Sequence, residues 1–313
     1  MKPNHIASLG AAFLLCAALA ACESATPSAA PAEPLTVTLN AQGEPAGIEH
    51  HKRWSDKVGQ GGQPAGDVAF RNIAALGYKT VLSVDGATPD VAGAAKYGLT
   101  YVHVPIEYSG ITREQEVQIV KAVQASDGPV FIHCHHGVHR GPAAAMVARI
   151  GVEGLSNEQA TADLKASGCS AKYEGLYRDV AKFTAPPADE IARAPMPPSR
   201  ANVGGSVEHM AAAGRVFERL QACEKAGGGP PPSEPDVNPP HEAVILSEHF
   251  RELARLDDMK SHGDAFVKWL ADSETSAKAI ESSLRAGDKA GATAALASVK
   301  KTCDTCHKKY RDN

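Results

Sequence analysis

The sequence predicts two unlike parts in one chain, an α/β domain followed by an all-α four-helix bundle. Three observations carry that reading. Strand and helix patterns alternate over residues 64–184, a proline-rich stretch follows, and every segment after it is helical. Alternation of that kind favours a layered fold with a largely parallel sheet, whereas consecutive helices without intervening strands favour a bundle. At 313 residues the chain has room for both, since domains commonly hold ~100–200 residues.

In the first part, Pro64 to Leu76 has helical spacing, with Val68, Ile73 and Leu76 apolar, and Gly77 ends it. Lys79 to Val84 is a β-branched strand, Pro89 to Tyr97 is helical and closed by Gly98, and Leu99 to Ile106 reads as a second strand. Thr112, followed by Gln115 three residues later, has the spacing of a capping box for a helix whose apolar face holds Val117, Val120 and Val123. Pro129 to His133 is a third strand, bounded by Gly128. Helices near 156–167 and 172–184 complete the domain. Pro186, Pro187, Pro195, Pro197 and Pro198 then mark an extended linker. Four helical stretches follow, at about 205–224, 241–259, 263–286 and 288–311. The expected boundaries are therefore 1–21 for an export signal, 22–54 for a tether and extension, 55–184 for the α/β domain, 185–203 for the linker and 204–313 for the bundle.

Composition narrows the function classes. Charged residues make up 22% and the formal net charge is −4, which gives no basis for nucleic-acid binding, a function that usually needs a basic surface. The N-terminus has the layout of an export signal, with Lys2 and His5 ahead of an apolar run from Ile6 to Ala21. Leu19-Ala20-Ala21-Cys22 resembles the lipobox of bacterial lipoproteins. That resemblance implies a lipid on Cys22, removal of Cys16 with the signal, and membrane anchoring in the periplasm. Glu23 after the cysteine points to the outer membrane of a Gram-negative cell. Ser24 to Pro34 is rich in Ala, Pro and Ser and reads as the tether. In an oxidising compartment Cys169 and Cys223 could pair, although sequence does not fix connectivity.

The first chemical motif is His133-Cys134-His135-His136-Gly137-Val138-His139-Arg140-Gly141, directly after a strand and before a helix. Five residues between cysteine and arginine suffice to wrap one anion with the backbone N–H groups of His135, His136, Gly137, Val138 and His139. The following helix adds its positive end. The same field favours the Cys134 thiolate, and Arg140 can fork two oxygens of a phosphoryl group. With Gly62-Gln63-Pro64 and Gly77-Tyr78-Lys79-Thr80-Val81 upstream, residues 55–184 resemble small bacterial members of the protein tyrosine and dual-specificity phosphatase superfamily. The resemblance implies a phosphocysteine mechanism with Cys134 as nucleophile and Arg140 as phosphate clamp. It also implies a general acid on the loop before the cysteine, where Glu107 is the candidate and Asp127, in a turn, the poorer one. Most members carry Ser or Thr after the arginine to help the thiolate leave, and this chain has Gly141. Two other readings stay open. The loop binds an anion without turnover, or the crowded histidines hold a metal, which a tight anion loop opposes by turning its side chains outward. Histidines around the pocket would add positive charge below pH ~6.5.

The second motif is Cys303-Asp304-Thr305-Cys306-His307, the spacing of covalent haem c attachment. On a helix the two sulfurs share a face with the imidazole of His307. Standing on the last helix, it resembles the class II cytochromes, the cytochrome c′ group, over about 204–313. That implies haem c as cofactor and His307 as an iron ligand. On the first helix Val207, Met210, Gly214 and Phe217 fall on one apolar stripe, with His209 about 100° away. Met210 is either a core residue above the haem or a sixth ligand, and His209 is the other candidate ligand. The partners expected are a phosphorylated substrate, a redox protein and the membrane.

Overall fold

The structure is a computed structural model describing residues 35–203 and 205–310. The export signal, Cys22 and the stretch up to Pro34 lie outside the described residues.

The chain from Leu35 opens with turns that fold back onto the α/β part, where Thr38 pairs with Asn72 through Oδ1 (2.7 Å) and Nδ2 (2.9 Å). Then come β1 (Lys52–Arg53), β2 (Val58–Gly61), α1 (Gly66–Ala75), β3 (Thr80–Ser83), α2 (Val91–Ala95) and β4 (Thr100–His103). They are followed by α3 (Arg113–Ala125), β5 (Val130–His133), α4 (Arg140–Glu153), α5 (Asn157–Ala166) and α6 (Glu174–Lys182). The sheet order is β1-β2-β5-β3-β4, with β1 antiparallel and the rest parallel. The sheet is therefore mixed rather than wholly parallel. The sequence pattern does not show β1 and β2, because Gly59, Gly61 and Gly62 hide the strand character of the second.

Side chains alternate across the sheet as the two-residue repeat requires. Val81, Tyr101 and Phe131 face α1, packing with Phe70 and Ile73. Leu82, Val102 and Ile132 face the opposite layer, where Val117, Val120 and Val123 of α3 meet the alanine-rich α4. Both faces are covered, which is why the strands read as short continuous apolar runs. The Thr112 capping box forms as expected, with Thr112 accepting from the Gln115 backbone and Gln115 accepting from the Thr112 N–H at 2.8 Å. The expected apolar face of α1 needs one correction. Val68 is exposed, and Ala69, Phe70 and Ile73 are the buried set.

The proline-rich segment departs from a free extended linker. It contains α7 (Ala188–Arg193) and is fastened to α3: Arg113 Nη2 pairs with Glu190 at 2.7 Å, and Lys121 donates to the carbonyls of Ile191 and Ala194. Further on, the His103 N–H donates to the Pro198 carbonyl at 2.9 Å, extending the edge at β4. Prolines stop helices, but they do not stop the residues between them from docking.

The remainder is helical: α8 (Ser206–Lys225), α9 (Pro239–Leu253), the short α10 (Asp257–Lys260), α11 (Asp264–Arg285) and α12 (Lys289–Tyr310). α9 packs on α8 and α11, α11 packs on α12, and α8 and α12 touch little. α9 is buried nearly all round, through Val244, Ile245, Leu246, Glu248, Phe250, Glu252 and Leu253. One side of it meets the other helices and another meets the α/β part, so everything from Leu35 onward is one compact unit. Among the described residues no helix is long and apolar enough to cross a membrane.

Candidate active site

Ligands of α/β sheets gather where parallel strands end at their carboxyl termini, and four strand ends converge here. β5 delivers His133 and the Cys134 loop, β2 delivers Gly62 and Gln63, β3 delivers Asp85, and β4 leads to Glu107 and Tyr108. Cys134 is buried at the loop's start, and α4 begins at Arg140 with no side chain capping its N-terminus. The uncapped end leaves the first N–H groups of α4 facing the loop, the arrangement that holds anions. Gly137 has φ +73°, and a β-carbon on it would lie 2.3 Å from the Gly62 nitrogen. Only glycine meets both demands. A β-carbon at Gly141 would lie 3.4 Å from Cys134 Sγ, so position 141 is where a hydroxyl would touch the sulfur.

Arg140 is the most heavily committed group of the site. Its side chain is 2% exposed, and Nη2 donates to Asp85 Oδ1 (2.9 Å), the Tyr108 hydroxyl (3.0 Å) and Glu252 Oε1 (2.7 Å). The guanidinium also lies 4.1 Å from the centre of the Tyr108 ring, while Nε is buried without a hydrogen-bond partner. Arg255 reinforces the cluster, bonding both oxygens of Asp85 (3.1 and 2.5 Å), Glu252 Oε2 (2.7 Å) and Gln63 Oε1 (3.1 Å). Burial alone would raise the Asp85 carboxyl, but Arg140 and Arg255 override it and hold Asp85 below the usual carboxylate range.

The loop histidines cluster without forming a ligand set. The rings of His135 and His136 are 4.3 Å apart, and His139 packs 4.3 Å from the Tyr173 ring. Among the described residues no group of three or more His, Cys, Asp or Glu side chains is arranged to hold a metal. The expected positive charge below pH ~6.5 is corrected by burial. Desolvation pushes His135 down to about 4 and His139 to about 3, and His133, whose Nε2 meets the Tyr101 hydroxyl at 2.6 Å, down to about 4. These rings stay neutral at the pH where free histidine charges.

Glu107 is exposed, in a tight turn closed by a bridge to Gly110. It lines a cavity of about 210 Å³ together with Tyr108, Arg140, His209, His249 and Glu252. Asp127 lines a different pocket with Lys79 and Thr80, toward the other ends of the strands. Asp85, Tyr108, Glu252 and Arg255 were not foreseen. Asp85 had a signal, an acid at the carboxyl end of a parallel strand. Glu252 and Arg255 had none, because charges three and four apart on a helix read as a solvated face.

In the helical region a second, larger cavity of about 580 Å³ opens between α8 and α12. Val207, Met210, Gly214 and Phe217 line it from α8, Phe250 from α9, Phe266 from α11, and Cys303, Cys306, His307 and Tyr310 from α12. The cavity size suits a large, mostly apolar ligand. His209 points elsewhere, into the smaller cavity beside Glu107. Trp269 packs in the core against Tyr310, with Lys309 over its ring at 5.3 Å. Cys134, Cys169, Cys223, Cys303 and Cys306 are all free thiols, so Cys169 and Cys223 are not paired here.

No family profile and no curated relative matches this chain. Solved structures resemble its α/β part. TpbA from P. aeruginosa is 22% identical, matched over 44% of this chain and 98% of its own, with a TM-score of 0.33. A DUF442 protein from Shewanella putrefaciens is 18% identical over 44% of this chain and 93% of its own, with a TM-score of 0.37. The active form of Tk-PTP is 17% identical over 43% of this chain and 98% of its own, with a TM-score of 0.38. These are tyrosine-phosphatase-like and DUF442 folds, and at such identities and scores the likeness says nothing of activity.

Proposed function

We propose that the chain is a membrane-tethered periplasmic cysteine phosphatase whose helical region is a cytochrome c′-like four-helix bundle carrying haem c. The carrying observation for the first half is the joining of Cys134 and Arg140 by one loop between a strand end and an uncapped helix N-terminus. In this reading the Cys134 thiolate attacks phosphorus, and the P–O bond to the alcohol breaks as Glu107 supplies the leaving oxygen with a proton. Water then attacks the phosphocysteine, its proton goes to the Glu107 carboxylate, and the thiolate leaves as inorganic phosphate forms. Arg140 holds the equatorial oxygens through both steps.

The donor set of the large cavity fits haem c. Two thiols and an imidazole sit on one helix at a mostly apolar wall. Cys303 and Cys306 would hold the macrocycle covalently, His307 would bind iron, and Met210 stands on the facing helix as the candidate sixth ligand. Bound there, the group would supply one-electron redox chemistry or gas binding, with a redox protein as partner.

The test of the phosphatase reading is hydrolysis of an aryl phosphate by the full chain under reducing conditions, against Cys134→Ser. A rate that disappears in the variant supports it. A second reading, a c-type cytochrome with a non-catalytic anion-binding module, is favoured by Gly141, which leaves the thiolate without a neighbouring hydroxyl at that position. Absence of any Cys134-dependent rate selects that one.

A further inference from the structure

Glu252 belongs to α9, yet its carboxylate lies on the arginine of the Cys134 loop, 112 residues away in sequence. One oxygen takes Arg140 Nη2 at 2.7 Å and the other takes Arg255 Nη1 at 2.7 Å. A carboxylate presents to a guanidinium the same negative oxygen edge that a phosphoryl group presents. One guanidinium edge cannot serve both. Asp85, the other acid on Arg140, follows β3 within the α/β part and is 1% exposed, so it orients the arginine from below. Glu252 arrives from above on a separate helix. α9 also closes the approach: the cavity at Arg140 is walled by Glu107 and Tyr108 on one side and by Ile245, Glu248, His249 and Glu252 on the other.

Polar contacts join the apolar ones that seat α9 and the turn after it here. Tyr173 donates to Glu248 at 2.9 Å, and Arg255 reaches Asp85 and Gln63. Against the other helices α9 presents aromatic and aliphatic groups, with Phe250 in the wall of the large cavity beside Met210 and Phe217. Polar interfaces within a chain separate more readily than apolar ones. The polar contacts at Arg140 are therefore the part of this seat that an entering oxyanion would compete for.

We propose that Glu252 is an internal phosphate mimic: α9 holds the Arg140 site closed, and an oxyanion enters by displacing it. The proposal rests on reading the Cys134 loop as a phosphate site, but not on turnover at that site. An internal competitor weakens apparent affinity by the fraction of molecules that are open, so neutralising it tightens binding without altering the loop.

The experiment compares inorganic phosphate binding to the full chain and to Glu252→Gln by calorimetry, with amide exchange over residues 245–255 measured in parallel. Phosphate should bind Glu252→Gln about tenfold or more tightly. Saturating phosphate should speed exchange across α9 in the unaltered chain, while in the variant exchange is already fast. Equal or weaker binding in the variant overturns the proposal and makes Glu252 a group that positions Arg140. Binding to neither protein overturns it as well. Should Glu252→Gln fail to fold, the unaltered chain decides alone: phosphate that binds and leaves α9 as protected as before refutes displacement. Tighter phosphate binding without aryl phosphate turnover would sink the phosphatase reading and leave this inference standing. Turnover that needs Cys134 but is indifferent to Glu252→Gln in KM would do the reverse.

Discussion

The loop at Cys134 collects polar and charged groups from four strand ends and a distant helix, whereas the cavity at Cys303 and Cys306 is walled almost wholly by apolar side chains. The first is small and closed by ion pairs, and the second is nearly three times larger. The contrast is one of energetics. A buried guanidinium is tolerated only when it is paired, and Arg140 is paired with Asp85 from the α/β part and with Glu252 from α9. An apolar cavity tolerates change at its rim and depends on a few covalent or ligating atoms. α9 touches both, with Glu252 at the first and Phe250 at the second.

The largest expected effect separates the two regions outright. Cys303→Ala with Cys306→Ala should abolish covalent haem, read as peroxidase stain on a denaturing gel, while Cys134-dependent aryl phosphate hydrolysis survives. Covalent haem in the double variant would break the assignment of the cavity.

Next is Arg140→Ala. It leaves the buried carboxylates of Asp85 and Glu252 with Arg255 alone to pair them, so the unfolding free energy should fall by about 3–5 kcal/mol. A urea titration reads it, and a loss below about 1 kcal/mol would mean that the cluster behaves like a surface pair.

A smaller effect, in the opposite direction, is expected at Gly141. Serine there brings a hydroxyl to the Cys134 sulfur at a position whose β-carbon already lies 3.4 Å from it. A hydrogen bond to a charged group contributes about 1.5–3 kcal/mol, so Gly141→Ser should raise turnover about tenfold or more. An unchanged rate would show that release of the thiolate does not limit the proposed turnover.

The last is a trend with pH. His133, His135 and His139 are held down to about 4, 4 and 3 by burial, whereas in the unfolded chain they titrate near ~6.5. Between those values the unfolded state binds more protons, so stability rises with pH and is lost as pH falls from about 6.5 toward about 4. The denaturation midpoint should drop from pH 7 to pH 5, and a flat profile over that range would contradict neutral, buried rings.

Much of this architecture is legible in the sequence. The Thr112 cap, three of the four parallel strands and the four long helices follow from local spacing, and so do the residues of the Cys134 loop. Local spacing fails where partners are remote. β2 is glycine-rich because a β-carbon at Gly59 would run into the Tyr78 hydroxyl and one at Gly61 into Ile48 and Phe131, remote side chains that erase its strand signature. Glu252 reads as a solvated charge on α9 and is buried only because that helix packs against the α/β part as well as its helical neighbours. The prolines of 185–198 read as an extended linker, while the intervening Glu190, Ile191 and Ala194 anchor that segment to α3.

The measurement that tests the central claim most directly is rapid acid quench of the full chain after mixing with a radiolabelled phosphoryl donor, followed by peptide mapping. With no hydroxyl at position 141 to help the thiolate leave, the phosphocysteine should accumulate. The account predicts label on the peptide containing Cys134, approaching one per molecule, and none in Cys134→Ser. Turnover without label, undiminished in that variant, would contradict a covalent mechanism at this loop.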